Sequence, residues 1–292
     1  MTTDLLTFGQ RLERSVQASG PIVAGIDPHR GILEAWGLPD TAAGARVLSR
    51  RMLEACEGRV AMIKPQSAFF ERFGSAGIAV LEELVGEARE RGVLCLLDAK
   101  RGDIGSTMGA YAEAYLRPGA PLEVDAVTVS PFLGYGSLEP CLEYTRTASK
   151  GVYVLCLTSN PDGAEVQHAR DAHGRSIAAT MAAHAAADNA SAAEAGQWGS
   201  VGLVVGATIG DAAERTGVDL AGFSGTFLAP GFGAQGARPA DLPRVFGAAS
   251  ARVLPAQSRS ILQAGPSDGA LERTLEALAH EYALAAKKAA GS

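Results

Sequence analysis

The chain has 292 residues, 47% hydrophobic and 20% charged, a balance that supports a large core and excludes a disordered polymer. Its formal charge is -6 with lysines and arginines dispersed, which gives no basic stripe for nucleic acid, and no apolar run approaches the ~18 residues of a membrane span. The opening MTTDLLTFGQRLERSVQASG mixes both signs of charge without the apolar stretch of a secretory signal, so a cytoplasmic protein is expected.

Short β-type runs alternate along the chain with longer stretches of helical periodicity. In order, the runs are Ile22 to Asp27, Val60 to Pro65, Val93 to Lys100, Ala126 to Ser130, Val152 to Thr158, Val201 to Ala207, Gly225 to Pro230 and Arg252 to Ala256. Amphipathic segments such as GIAVLEELVGEARERG, and DGALERTLEALAHEYALAAKKAA after the last run, suit helices outside a sheet. The widest gap, Ser159 to Ser200, is mostly alanine from Ser176 to Ala195 and predicts one or two helices there. No repeat or Pro- and Ser-rich hinge divides the chain, so a (β/α)8 TIM barrel in a single domain, residues 1–292, is expected. Cys56, Cys95, Cys141 and Cys156 are irregularly spaced and signal neither a zinc site nor a disulfide framework. Cys95 and Cys156 fall within apolar runs and read as buried thiols.

In such barrels the chemistry sits at the C-terminal ends of the strands, where the loops converge. The first run ends in Asp27, the second near Lys64, and the third in Asp98 and Lys100. Regular alternation would set Asp98 and Lys100 on one face with Leu94 and Leu96, pointing into the barrel. Charges gathered there are costly unless paired, and lysines alternating with aspartates pair them. Surface ion pairing is the plainer explanation, but charge at three successive strand ends favours a site. Asp103 and Thr107 follow in RGDIGSTMGAYA, where Asp103 is equally readable as a helix N-cap or as a catalytic group. After the seventh run, APGFGAQGA, with Gly233 and Gln235, lets backbone approach a ligand closely, and after the eighth Arg259 opens a short helix. Loops in those two positions commonly hold phosphate, so a phosphorylated substrate is expected.

These residues resemble a known family over most of the chain. DAKRGDI, Asp98 to Ile104, resembles the D-x-K-x-x-D-I signature of orotidine 5'-phosphate decarboxylases, with Thr107 following, and AGIDPH, KPQSAFFE, SPFLGYGSLEP, LTSNP and APGFGAQGA resemble segments of their longer bacterial form. The resemblance implies decarboxylation of orotidine 5'-monophosphate to uridine 5'-monophosphate, the last step of pyrimidine nucleotide synthesis. It implies a charged array of Lys64, Asp98, Lys100 and Asp103, with Lys100 as proton donor to carbon 6. It further implies that Asp27 contacts a ribose hydroxyl, Ser159 the pyrimidine edge, and Gln235 with Arg259 the phosphate, with Gly233 also binding substrate. Asp103 and Thr107 would reach into a second subunit's site, making a homodimer with shared sites. Asp162 and Cys141 depart from the pattern, outside these roles.

No metal or other cofactor is expected: His29, His168, His173, His184 and His280 are scattered without ligand spacing. A carbanion at carbon 6 has no adjacent carbonyl to absorb it, which leaves fixed charge to stabilise it. The rival readings are a metal-dependent sugar-phosphate lyase or decarboxylase sharing the D-x-K-x-x-D pattern, a silent nucleotide-binding barrel, and a purely structural barrel.

Overall fold

The computed structural model describes residues 6–234, 236–267 and 269–290. Each of the eight expected runs overlaps a strand, with β3, β5 and β8 passing the expected bounds by one residue: β1 (Val23–Ile26), β2 (Met62–Pro65), β3 (Leu96–Arg101), β4 (Ala126–Val129), β5 (Gly151–Leu157), β6 (Val201–Val205), β7 (Phe227–Pro230) and β8 (Val253–Gln257). They form one sheet in the order β2-β1-β8-β7-β6-β5-β4-β3, in which neighbouring strands run parallel. Bridges Ile63↔Cys95 and Gln66↔Asp98 join the two ends of that order and close the barrel.

β1, β2, β4, β6 and β8 are buried at every position, because one face of each meets the barrel interior and the other meets helices. Alternation sends Val23, Met62, Leu96, Ala126, Tyr153, Val204, Leu228 and Leu254 inward. It sends Ile26, Ile63, Leu97, Val127, Val152 and Val154 outward, beneath the helical layer. All four cysteines are buried and free. Burial raises every one of their thiols, so they behave as small apolar side chains.

The N-terminal side of the barrel is closed by the helix Phe8–Ser19, which starts at a capping box in which Thr7 and Gln10 satisfy each other's backbone N–H groups. Phe8 and Leu12, one turn apart, enter the barrel interior. The Phe8 ring stands edge-on to Tyr153 with centroids 6.3 Å apart. Gly151 and Gly202 make room for these rings, since a Cβ would come within 2.4 Å of Phe8 and 2.3 Å of Tyr153 respectively. Arg11 ties the plug to the barrel through Asp125 at 2.6 Å.

The alanine-rich stretch forms helices Ile177–Asp188 and Ala190–Glu194, within the expectation, and a four-residue helix Ala164–Gln167 precedes them. Among the described residues no helix is long and apolar enough to cross a membrane.

One expectation is corrected. Regular alternation along the third strand stops at Asp98: the ladder to β4 slips between Leu97 and Arg101, and Lys100 has φ +48°. Lys100 therefore reaches the mouth from a left-handed bulge, a conformation that a residue with a Cβ seldom adopts.

Candidate functional site

Because the Phe8–Ser19 helix fills the opposite end, the barrel opens where the strands finish. A cleft of about 610 Å³ lies there, lined from β1 round to β8. It takes Asp27 from just past β1, Lys64 from β2, Asp98 and Lys100 from β3, Ser159 from just past β5 and Arg259 from the turn after β8. Six residues named from the sequence thus meet in one cavity.

At its centre is a chain of charge. Lys64 Nζ donates to Asp98 Oδ2 at 3.0 Å and Lys100 Nζ to Asp98 Oδ1 at 2.5 Å. Lys64 and Asp98 are buried, whereas the Lys100 side chain is 45% exposed and faces the open cleft. Burial by itself would raise the Asp98 carboxyl, but attraction to Lys64 and Lys100, with their hydrogen bonds, outweighs it and holds the group well below the usual carboxylate range. Burial would likewise lower Lys64, yet attraction to Asp98 and then Asp27 leaves its ammonium raised. The array is consequently a fixed alternation of charges in which Lys64 and Asp98 stay ionised on both sides of neutrality.

Around it are polar atoms with nothing to bond. Asp27 Oδ1, Ser159 Oγ and Ser258 Oγ are buried without a hydrogen-bond partner, and all three residues line the cleft. Buried polar atoms left unsatisfied cost about 1–3 kcal/mol each, so a ligand that supplies their partners recovers that energy. Arg259 is exposed at the cleft and has no carboxylate partner among the described residues.

Gly233 sits between the lining residues Phe232 and Ala234 at φ +71°, where a Cβ would lie 2.7 Å from Gln257 Oε1. Only glycine takes that turn without strain. Gln235 lies outside the described residues. Asp103 and Thr107 do not line the cleft. Asp103 accepts a bond from the Ile104 backbone N–H at 2.8 Å, but the N-cap of helix Gly105–Leu116 is Ile104, with no side-chain cap bond. The N-cap reading of Asp103 is therefore corrected: the chain turns one residue later than that reading needs.

Sequence reasoning missed several lining residues. Gln66 Nε2 donates to the Asp98 carbonyl at 3.1 Å, and Gln257, buried, accepts from Ser260 Oγ at 2.6 Å and donates to Tyr282 at 3.0 Å. Thr128 bonds both Asp98 and Lys100. His29 lies against Phe69 with centroids 5.7 Å apart, and its Nδ1 accepts from Gly31 N–H. Thr128 and Gln257 were both legible in principle: Thr128 stands two residues from the inward Ala126 in an apolar run, and Gln257 closes the apolar run of β8. No group of three His, Cys, Asp or Glu able to hold a metal ion occurs among the described residues.

Comparisons with known proteins bear on the chain as a whole. The family model for the orotidine 5'-phosphate decarboxylase / HUMPS family matches residues 22–274. An orotidine 5'-phosphate decarboxylase of Streptomyces coelicolor is 56% identical over 274 residues, 94% of this chain and 96% of the relative. One from Salinispora arenicola is 55% identical over 91% of this chain and 93% of its own. A crystal structure from Streptomyces avermitilis, described by the same activity, superposes with a TM-score of 0.91 at 54% identity, covering 97% of each chain. The Leishmania donovani OMP decarboxylase structure does so at 0.76 and 30% identity, covering 97% of this chain and 100% of that one. With a barrel of the same shape and a matching sequence over nearly its whole length, this chain belongs to the orotidine 5'-phosphate decarboxylase / HUMPS family.

Proposed function

We propose that this protein is a carboxy-lyase that converts orotidine 5'-monophosphate to uridine 5'-monophosphate and carbon dioxide, the closing step of pyrimidine nucleotide synthesis, without a cofactor. The observation that carries the reading is the Lys64–Asp98–Lys100 array at the centre of the cleft, in a chain more than half identical to proteins of that name.

The chemistry follows from the charges. The bond between carbon 6 and the carboxylate breaks, carbon dioxide leaves, and the electron pair stays on carbon 6. The Lys100 ammonium, paired to Asp98 and exposed to the cleft, stabilises that charge and gives a proton to carbon 6; solvent then reprotonates the amine. Lys64 holds Asp98 ionised, and Asp98 sits beside the departing carboxylate and orients Lys100. The unpartnered Asp27 Oδ1 and Ser159 Oγ suit a ribose hydroxyl and the pyrimidine edge. Arg259, with Gly233 and Gln235 of the glycine loop, would take the phosphate.

Two further site residues, Asp103 and Thr107, belong in this reading to a neighbouring subunit's site, so the working unit is a homodimer. Supporting this, Ile104 between them is 61% exposed, and Phe132 and Leu133 in the loop after β4 are 75% and 53% exposed. The two loops touch, for a Cβ on Gly102 would come within 2.5 Å of the Ser130 carbonyl, so these apolar side chains belong to adjoining segments at one end of the barrel. An apolar surface beside unused polar groups suits burial against a second copy.

The test is the loss of orotidine 5'-monophosphate absorbance with purified protein in excess chelator, beside Lys100→Ala. Rapid conversion that resists the chelator and falls at least about a thousandfold in the variant is the expected result. Activity only with added metal would move the protein to the sugar-phosphate branch, and binding without turnover would make it a nucleotide-binding barrel.

A further inference from the structure

The bulge that delivers Lys100 is stitched to the neighbouring strand by one side chain. From Leu97 to Arg101 β3 advances four residues while β4 advances two, from Val127 to Val129, so Thr128 alone faces Asp98, Ala99 and Lys100. In a regular parallel ladder the Lys100 N–H would find a main-chain carbonyl. Here it donates to Thr128 Oγ1 at 2.9 Å, and Thr128 Oγ1 donates its proton to Asp98 Oδ1, also at 2.9 Å. The direction is forced, because an oxygen that accepts from the amide has its only proton left for the carboxylate. Thr128 is fully buried, so both bonds meet at a hydroxyl that solvent does not reach.

We propose that Thr128 is a positioning residue for the reaction: its hydroxyl holds the left-handed backbone of Lys100 and the Asp98 carboxylate in a single geometry, and so aims the Lys100 ammonium at carbon 6. This rests on the roles proposed above for Asp98 and Lys100. Asp98 Oδ1 receives both the Lys100 ammonium and the Thr128 hydroxyl, so the hydroxyl fixes the oxygen about which the ammonium pivots. Threonine at this point is not required for packing alone, since valine has the same shape. What valine lacks is the acceptor for the bulged amide and the donor to the carboxylate.

The experiment compares Thr128→Val, Thr128→Ala and Thr128→Ser with the unaltered protein by steady-state kinetics on orotidine 5'-monophosphate, with thermal melting of each. The expected result is a fall in kcat of about 30-fold for Val and Ala, with KM within about threefold, and kcat within about threefold for Ser. The alanine variant decides the matter if valine fails to fold. A Val or Ala variant that melts lower but turns over normally would overturn the proposal and leave Thr128 a packing residue. Equal losses in Ser and Val would also overturn it, by showing that the hydroxyl is not what matters. The array assignment fails separately, if Lys100→Ala stays active.

Discussion

The two ends of this barrel are built from the same strands and handle polarity in opposite ways. At the closed end, Phe8 and Leu12 fill the interior and most buried polar groups nearby are matched, Arg252 Nε being an exception: Tyr153 shares a 2.7 Å hydrogen bond with Thr226, and Lys150 donates to Glu123 and to the Val124 carbonyl. At the open end Asp27, Ser159 and Ser258 keep unpartnered buried oxygens, and Lys100 holds a backbone conformation that disfavours its side chain. Packing that would improve the open end is absent where a ligand must enter. Stability is concentrated at one end and most of the unmet bonding capacity at the other, which is the expected division where function demands strain.

That division can be broken by separating its two sides. Lys100→Ala, the largest effect, should remove turnover by at least about a thousandfold with little change in melting temperature, because Lys64 and Thr128 still hold Asp98. Phe8→Ala should do the reverse, costing about 3–5 kcal/mol of folding stability by denaturant titration while kcat per folded molecule is kept. Should Phe8→Ala abolish turnover in protein that is still folded, the ends are coupled and the division fails.

Arg259→Ala should raise KM for the nucleotide roughly 10- to 100-fold and leave stability nearly unchanged, since the side chain is exposed and makes no ion pair among the described residues. An unchanged KM would move the phosphate elsewhere in the cleft.

The smallest expected effect is a pH response confined to the extremes. Asp98 is depressed when folded, so its contribution to stability is full above its unfolded value of about 3.9 and is lost as pH falls through the folded one. Lys64 is raised, so its contribution is full below about 10.4 and is lost as pH rises through the folded value. Melting temperatures followed from acid to alkali should show no step from either group near neutrality. A step near pH 7 that disappears in Asp98→Asn would contradict the fixed alternation of charge.

Much of the site was legible because the relevant signals are local. Asp27, Lys64 and Asp98 each close an apolar run, and a polar residue ending a barrel strand stands at the mouth wherever that strand is placed. Lys100 was located correctly for an incomplete reason: alternation predicted its direction, but a bulge against β4 supplies it. Gln257 and Thr128 were missed because their importance lies in partners from other strands and helices, Tyr282 and Ser260 for one, Asp98 and Lys100 for the other. Nothing near them in sequence announces those partners.

By itself the sequence determined the eight strands, the apolar alternation that fills the barrel and the charges that finish three of its strands, because each depends on periodicity within a few residues. Tertiary structure alone decided that Ile63 and Gln66 meet Cys95 and Asp98 to close the sheet. It also decided that Phe8 stoppers one end, that Thr128 faces a bulge, and that Asp103 and Thr107 fall outside the cleft of their own chain. Those outcomes depend on the register between strands, and register is set by how the whole barrel packs and closes.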